Sequence, residues 1–424
     1  MAFDSEEFKQ RRADRQQQRQ QRQAQHRRMV IKLVIAGVAV LLCGILIVAI
    51  TRKSSTDPKD QTTSEDTALQ NQTEGTTQTA PPTTVIHLAA AGDLNITEAV
   101  VNSGGSDFEY TSTLLDVAHL LADADITALN LEGNLFGTPY GTDRSAPQTL
   151  AQALSDAGVD MVQLANSYSI YKGMDGLAAT INGIRTAGME PLGVYANAQE
   201  AKAGKGYTIR SVQGIKIAFV AFTKGMDSMA LPAGSERCVN LLYTDYATTY
   251  QEVDTEGITA VLDNVAKEKP DITVAMLHWG SEYNDTVSES QNEICTLLQS
   301  KGVDAIIGTH SHYVQKMVYD EAAGTFVAYS LGDFLGDAQR AGSEYSVILD
   351  LEITKDNASG DTRITGYSYT PIFTVAEKDK PLRVVRIHEA IAAYDGGYID
   401  KVSQQTYEAM QYALTRIEAR ITGE

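Results

Sequence analysis

The sequence predicts an α/β fold for the chain from residue 85 onward. Short apolar runs rich in β-branched residues alternate there with amphipathic stretches of helical length. Four of these runs begin at an acidic residue and end on a polar residue of metal-ligand type: Asp125-ITALNLEG, Asp160-MVQLANS, Asp271-ITVAMLHWG and Asp304-AIIGTHSH. The later runs, between residues 313 and 353, follow one another like hairpins. A mixed sheet or two packed sheets are therefore expected, rather than a simple doubly wound sheet.

The N-terminal segment is basic and the remainder of the chain is acidic. The 424 residues carry a formal net charge of −19. Residues 1–53 hold 11 Lys/Arg against 4 Asp/Glu, which leaves 24 against 50 for residues 54–424, or +7 and −26. Such an acidic body excludes nucleic acid as the main partner, because binding a phosphate backbone needs a basic face.

Residues 30–50 form an apolar run that is interrupted only by Lys32. At about 1.5 Å per residue the run spans roughly 30 Å, the thickness of the hydrocarbon core of a bilayer. Seven arginines precede it and three cations follow closely, so the positive-inside rule predicts a cytoplasmic tail (1–29) and an extracytoplasmic body. The alternative is a cleaved signal peptide, which favours a shorter run and an A-x-A site. A single-pass, uncleaved anchor in the cell membrane is the prediction.

Three further segments follow the anchor. Residues 51–84 are rich in Thr, Ser, Gln and Asp and lack aromatic residues, which is typical of a disordered linker. Residues 85–374 form the main domain, and residues 375–424 form an extension whose stretch 404–420 has the periodicity of an amphipathic helix. Cys238 and Cys295 are too few for a disulfide framework and are interpreted as structural, with their pairing left open.

The ends of the predicted strands indicate a functional site. A fifth run, Val85-IHLAAAGDLN, ends on Asp93. Because ligands of open α/β sheets bind beyond the carboxyl ends of the strands, the five strand ends are expected to converge. The side chains brought to that edge would be Asp93, Asn130 or Glu132, Asn166, His278, His310 and His312.

This set of residue types suits divalent metal ions. Imidazoles combined with carboxylate or amide oxygens are ligands for Zn, Mn or Fe, and six donors are enough for two ions. Two ions can activate a water molecule and stabilise the oxygens of a phosphoester. The alternative is that the histidines only cap strand ends through hydrogen bonds.

An ordered set of motifs resembles the bacterial CapA family, which is associated with the synthesis of poly-γ-glutamate capsules. The motifs, between about residues 85 and 353, are Gly92-Asp93, Asn130-Leu131-Glu132, Leu164-Ala165-Asn166, His278-Trp279-Gly280, Gly308-Thr309-His310-Ser311-His312 with Gln315, and Tyr329-Ser330-Leu331-Gly332-Asp333-Phe334. The resemblance implies a calcineurin-like metallophosphatase fold, a two-sheet sandwich flanked by helices. It also implies metal ligands at Asp93, Glu132, Asn166, His278, His310 and His312.

The chain departs from the family pattern at two places. The usual Asn-Asn-His reads Asn166-Ser167-Tyr168, and the later Gly-Asn-Phe reads Gly332-Asp333-Phe334. Tyr168 therefore replaces a histidine that, in related phosphatases, would assist the leaving group. A tyrosine with a pKa near ~10 is a weak acid–base catalyst at neutral pH. His278 and Tyr168 are the candidate catalytic residues.

Three functions agree with these features. The first is a membrane-anchored protein that acts in the synthesis or export of a capsule or envelope polymer such as poly-γ-glutamate, together with polymer-synthesis membrane proteins. The second is a metal-dependent phosphoester hydrolase, and the third is a catalytically silent scaffold that binds a polymer or a partner. Near the site, Trp279 is expected either to wall it or to pack in the core. Four cations could attract an anionic substrate: Arg144, Lys172, Lys224 and Arg340.

Overall fold

The structure is a computed structural model that describes residues 82–398 and 402–423. The predicted tail (1–29), membrane span (30–50) and nearly all of the linker (51–84) lie outside the described residues. Among the helices that are described, none has the length and apolar character needed to cross a bilayer.

The described residues alternate strands and helices as the sequence predicts. The strands are β1 (Thr83–Asn95), β2 (Ile126–Glu132), β3 (Met161–Gln163), β4 (Glu190–Leu192), β5 (Tyr207–Val212), β6 (Ile215–Thr223), β7 (Ile272–His278), β8 (Ala305–Thr309), β9 (Met317–Asp320), β10 (Thr325–Ala328), β11 (Asp333–Leu335), β12 (Tyr345–Asp356), β13 (Thr362–Val375) and β14 (Arg383–Arg386). The helices are α1 (Glu98–Asn102), α2 (Thr111–Leu114), α3 (Ala118–Asp123), α4 (Gln148–Ala157), α5 (Gly173–Thr186), α6 (Ala198–Gly204), α7 (Thr255–Glu268), α8 (Glu289–Ser300), α9 (Ile387–Asp395) and α10 (Gln404–Thr422).

Two mixed sheets form the core, which confirms the predicted α/β architecture with two packed sheets. The first sheet has the order β14-β13-β12-β1-β2-β3-β4, with β11 also paired to β1, and the second has the order β5-β6-β7-β8-β10-β9. Strands β1 to β4 are parallel, whereas β12, β13 and β14 return antiparallel to one another. Apolar side chains from both sheets, such as Leu88, Ala128, Phe219 and Met276, lie in one buried cluster between them. Burial of a large side chain such as Leu88, Phe219 or Met276 contributes about 1.5–3 kcal/mol.

Helices cover the outer face of the second sheet. Ile258 and Leu262 of α7 and Ile294 and Leu298 of α8 share a second buried cluster with β6, β7 and β8. Trp279 belongs to this cluster and is fully buried, and its indole Nε1 donates to the Tyr329 carbonyl at 2.8 Å. Of its two predicted roles, core packing is the one that the structure shows.

The acidic residues that precede four strands have a structural role that explains their repetition in the sequence. Each carboxylate accepts a hydrogen bond from a backbone N–H of the neighbouring strand, next to the first residue pair of the parallel ladder between the two strands. The pairs are Asp125 with His87, Asp160 with Thr127, Asp271 with Lys216, and Asp304 with Thr273, at 2.6–3.0 Å. The side chains thus satisfy N–H groups that lie just beyond the parallel ladder. This device fixes the amino ends of the strands and hence the register of their carboxyl ends.

The segment after residue 374, predicted as an extension, is part of the same compact unit. Strand β14 pairs with β13 and extends the first sheet. Helix α10 matches the predicted helix 404–420, and its Met410, Ala413 and Ile417 are buried in the core between the sheets. These apolar contacts and the pairing of β14 join the C-terminal residues to the core of the described fold.

Cys238 and Cys295 are both buried free thiols. They pack as small apolar side chains, in agreement with the structural role predicted for them.

Candidate metal centre

Polar residues at the carboxyl ends of strands from both sheets meet at one place. Asp93 and Glu132 lie on β1 and β2 of the first sheet, where Asp93 is in register with Asn130. His278 ends β7 of the second sheet in register with Thr309, directly before His310 and His312. All five side chains are buried: Asp93, Glu132, His278, His310 and His312. The predicted convergence of strand ends is present in the structure.

Their donor atoms form two overlapping groups. Glu132, His278 and His310 make one group, and Asp93, Glu132 and His312 make the other; within each group the ligand atoms lie within 4.8 Å of one another. Glu132 belongs to both. Two neighbouring groups that share a carboxylate have the arrangement expected for one or two divalent ions.

Two buried atoms of the centre have no hydrogen-bond partner in the described residues. They are Oε2 of Glu132 and Nδ1 of His310. Buried polar atoms are nearly always paired, because an unpaired one costs about 1–3 kcal/mol. A divalent cation would accept electron pairs from both atoms, and an imidazole with a carboxylate suits Mn, Fe or Zn. The residues present therefore fit a metal ion.

The backbone after β8 is strained at the two histidines. His310 has φ 89° and His312 has φ 59°, values in the left-handed region that residues other than glycine rarely adopt. Such conformations cost of order 1–3 kcal/mol each and cluster at functional sites. The turn keeps both imidazoles beside the carboxylates despite this cost.

Asp93 is held by hydrogen bonds to both of its carboxylate oxygens. The Asn130 side chain donates to Oδ1 at 2.6 Å, and the backbone N–H of His310 donates to Oδ2 at 2.9 Å. Its own N–H donates to the Gly332 carbonyl at 3.0 Å. Of the two residues left open by the sequence, Asn130 orients Asp93, whereas Glu132 is the residue that belongs to the metal-ligand groups.

Asp333 is a member of the centre that the sequence marked only as a departure from a motif. Its Oδ1 lies 2.8 Å from Nδ1 of His312, which leaves Nε2 of that ring for another partner. A carboxylate behind a ligating histidine fixes the ring and increases its basicity. Its signal in the sequence is its place in the motif Gly332-Asp333-Phe334, where the family pattern has Asn.

Asn166 lies beside the centre, but both the nitrogen and the oxygen of its side-chain amide already make hydrogen bonds within the protein. Its Nδ2 donates to Asn130 Oδ1 at 3.0 Å and to the Leu131 carbonyl at 2.7 Å. Its Oδ1 accepts from the Tyr168 N–H at 3.0 Å. A ligand role for Asn166 stays a prediction, and the observed role is to join two strand ends.

Tyr168 stands beside the centre in contact with a cation. Arg144 donates from Nη2 to the Tyr168 hydroxyl at 2.9 Å, and its guanidinium lies 4.3 Å from the ring centroid. Burial raises the pKa of Tyr168, and the charge of Arg144 offsets only part of that rise. The phenol is therefore protonated at neutral pH and gives up its proton less readily than a histidine would.

Burial and charge set the protonation of the ligand groups. Burial raises the pKa of Asp93, and the Glu132 carboxylate adds to the rise. Burial also acts to raise the pKa of Glu132, but the charge and hydrogen bond of His278 outweigh it and bring the value to about 2. Burial lowers the pKa of His310 well below its usual range. Burial also acts to lower the pKa of His312, but the charge and hydrogen bond of Asp333 outweigh it and raise the pKa to about 10.

The fold and the centre define an α/β two-sheet protein with a buried site of histidines and carboxylates that fits divalent metal. Residues 87–338 match the family model described as bacterial capsule synthesis protein PGA_cap, and the chain belongs to that family. The resemblance predicted from the motifs is thereby confirmed.

Two curated relatives have capsule-related names. The capsule biosynthesis protein CapA of Bacillus anthracis is 24% identical over 268 residues, which cover 61% of this chain and 61% of the relative. The PGA biosynthesis protein CapA of Bacillus subtilis is 22% identical over 296 residues, or 66% of this chain and 71% of the relative. The match to the first thus spans less than two thirds of that protein's length.

Two solved structures are distantly similar. A calcineurin-like phosphoesterase, YfkN, from Bacillus subtilis has a TM-score of 0.42 and 16% identity, with 78% of this chain and 99% of that chain covered. A novel phosphatase from Mycoplasma pneumoniae has a TM-score of 0.41 and 14% identity, with 68% and 94% covered.

Proposed function

We propose that this protein binds one or two divalent cations through Asp93, Glu132, His278, His310 and His312 and uses that centre in the synthesis or export of an envelope polymer such as poly-γ-glutamate. The observation that carries the proposal is the pair of buried, unpartnered atoms, Glu132 Oε2 and His310 Nδ1, in two ligand groups that share Glu132. Membership of the capsule synthesis family supports the polymer as the context of the activity.

When bound, a divalent ion would polarise a phosphoester or related bond and lower the pKa of a water molecule. The protein's own residues provide orientation. Asn130 and the His310 N–H fix Asp93, and Thr309 lies 3.1 Å from Nδ1 of His278. Ser167, which precedes Tyr168, lies 2.9 Å from Nε2 of His278.

The protonated state of Tyr168 favours a second candidate function, a catalytically silent polymer-binding scaffold. A phenol held by Arg144 can donate a hydrogen bond, but it does not exchange protons readily at neutral pH. The phosphoester hydrolase and the scaffold share the metal centre and differ in turnover.

Metal analysis of the purified full-length protein tests the centre. We expect at least one Mn, Fe or Zn ion per chain, with clear losses in Glu132→Gln and His310→Ala. His388→Ala is the matched control, because His388 is an exposed residue of α9 and should leave the metal content unchanged. Less than one ion per chain, with no change in His310→Ala, would contradict the proposal.

Hydrolysis of bis(p-nitrophenyl) phosphate by the metal-loaded protein separates the two functions. Turnover by the natural sequence supports the hydrolase. Turnover that appears only in Tyr168→His supports the scaffold, because restoring a general acid contributes typically 10²–10⁴-fold. Tyr171→His controls for a histidine introduced nearby, since the Tyr171 ring packs against Tyr168 at 5.5 Å but is exposed.

The proposal also includes anchoring through residues 30–50, with the folded domain outside the cell membrane. Its support is the 21-residue apolar run and the arginines that precede it. Protease added to intact cells should remove the domain, and complete protection would contradict this topology. Envelope polymer and polymer-synthesis membrane proteins are the partners proposed for the domain.

A further inference from the structure

Three cationic side chains lie near the metal centre, each over the face of a tyrosine. The distances from the cationic group to the ring centroid are 4.3 Å for Arg144 over Tyr168, 4.6 Å for Lys224 over Tyr250 and 4.5 Å for Arg340 over Tyr283. We call Arg144, Lys224 and Arg340 the cationic rim. Cation–π contacts of this kind hold a flexible cation in a defined place without neutralising its charge.

Arg340 reaches the centre through a stack of rings. The ring of Tyr283 lies 4.9 Å from the ring of His312, at 31° between the planes. The Tyr283 N–H donates to the Ser311 carbonyl at 2.8 Å, which ties this ring to the histidine turn. Arg340 is thus linked to His312 of the centre through the ring of Tyr283, which contacts both.

Arg144 and Lys224 approach the centre from two other elements. Arg144 donates to the Tyr168 hydroxyl at 2.9 Å, and the Tyr168 N–H donates in turn to Oδ1 of Asn166, which lies beside the centre. Lys224 follows β6 and donates its backbone N–H to the His278 carbonyl at 2.8 Å. Its ammonium donates to the Gly280 carbonyl at 2.7 Å, two residues after His278. Each cation of the rim therefore contacts a residue that lies in the centre or directly beside it.

The rim cations lack acidic partners in the part of the chain that the structure describes. No described carboxylate oxygen lies within 4.0 Å of their nitrogens, whereas Lys172, the fourth predicted cation, pairs with Asp143 at 3.0 Å. The acidic groups that face the rim, Glu282 and Asp227, are exposed. In a body with 24 basic and 50 acidic residues, cations without an acidic partner beside a centre of carboxylates indicate an anionic ligand.

We propose that Arg144, Lys224 and Arg340 bind the acidic groups of an extended polycarboxylate that lies across the metal centre. This inference rests on the proposed function, because the polymer would present its bond to that centre. Guanidinium groups match carboxylates with two parallel hydrogen bonds, and a partly buried lysine adds a point charge. The rim would thus select a polyanion despite the negative charge of the body.

Binding of fluorescent poly-γ-glutamate to the metal-loaded, full-length protein tests the rim. We expect Arg144→Gln, Lys224→Gln and Arg340→Gln each to weaken binding roughly 5- to 20-fold. Lys202→Gln is the matched control, because Lys202 is an exposed cation on α6 and should change binding less than about twofold. Thermal unfolding of each variant shows whether it is folded. A second variant, Arg340→Lys, keeps the charge and should retain part of the affinity.

Two further comparisons decide between outcomes. If all three glutamine variants fold and bind poly-γ-glutamate with unchanged affinity, the cationic rim does not bind the polymer, whatever the metal content of the protein. Polyphosphate of equal length should bind more weakly than poly-γ-glutamate; tighter binding of polyphosphate would overturn the assignment to carboxylates. If the chain proves to hold no metal while binding still depends on Arg340, the proposed metal centre fails and the rim stands.

Discussion

Substitution of Gly92 by alanine should weaken both the fold and the metal centre. A Cβ atom at residue 92 would lie 1.8 Å from the Gly332 carbonyl oxygen, and Cβ contacts under 3.0 Å are essentially never seen. The two backbones would have to separate by about 1.2 Å in a closely packed interior. The same carbonyl accepts the Asp93 N–H at 3.0 Å, so the displacement would break that hydrogen bond.

The expected cost follows from these two effects. Overpacking of a tight interior costs about 1–3 kcal/mol, and the lost hydrogen bond adds about 1 kcal/mol. Gly92→Ala should therefore destabilise the domain by about 2–4 kcal/mol in denaturant unfolding. Because Asp93 and Asp333 are in register on the two displaced strands, metal affinity should also fall roughly 10- to 100-fold.

Gly366→Ala provides the matched control. Gly366 lies in β13 of the same sheet without a positive φ, and its nearest contact for an added Cβ is an ordinary 4.0 Å. Alanine there should be neutral or stabilising by up to about 1 kcal/mol. If Gly92→Ala has the stability and metal affinity of Gly366→Ala, the close approach of the two strands does not hold the centre.

Three further predictions concern buried groups outside the centre. Burial raises the pKa of Asp304 from 3.8 to about 6, so the ionised carboxylate destabilises the folded state fully above about pH 6 and not at all below pH 3.8. Asp304→Asn should therefore stabilise the protein at pH 7.5 by on the order of 2 kcal/mol, and unfolding measured at several pH values should show this stabilisation shrink toward pH 4. Arg420→Met should lower the free energy of unfolding by about 1–3 kcal/mol, because Arg420 donates to Asp285 at 3.2 Å and lies 4.4 Å from the Tyr313 ring. Arg416→Met should lower it by less, because Arg416 is more exposed and pairs with the same carboxylate at 3.5 Å; equal losses in denaturant unfolding would contradict this reasoning. Burial raises the pKa of the Cys238 and Cys295 thiols, so alkylation followed by mass spectrometry should label both only after unfolding, and a disulfide-linked peptide would contradict the structure.

The sequence predicts the buried parallel strands well because their pattern is local. Each is an apolar run behind an acidic residue, and the acid is there to accept the N–H of the neighbouring strand, as Asp160 does from Thr127. Helix α10 was also predictable to within two residues, since its apolar stripe has helical spacing. The short strand β14 had no such signal, because its pairing with β13 depends on a contact formed only in the folded domain.

The candidate site was predictable in its members and not in their roles. The five residues of the candidate centre lie at or just after the ends of apolar runs, so convergence of parallel strand ends was enough to group them. The orientation of Asn166 depends instead on hydrogen bonds to Asn130 and Leu131 across two strands, which no local pattern encodes. The same holds for Asp333, which reaches His312 because β11 joins β1 at the Gly92–Gly332 approach.

The charges of the centre explain why an acidic protein would keep a buried cluster of carboxylates. Asp93, Glu132 and Asp333 are buried together, and burial raises the pKa of Asp333 to about 6 although His312 acts against it. Burial of several carboxylates is costly unless a positive charge compensates them. The imidazoles supply only part of that charge, because burial keeps the pKa of His310 well below its usual range. A divalent ion at the two ligand groups would complete the balance and bond with the free atoms of Glu132 and His310, which is why the arrangement fits a metal better than a network of hydrogen bonds alone.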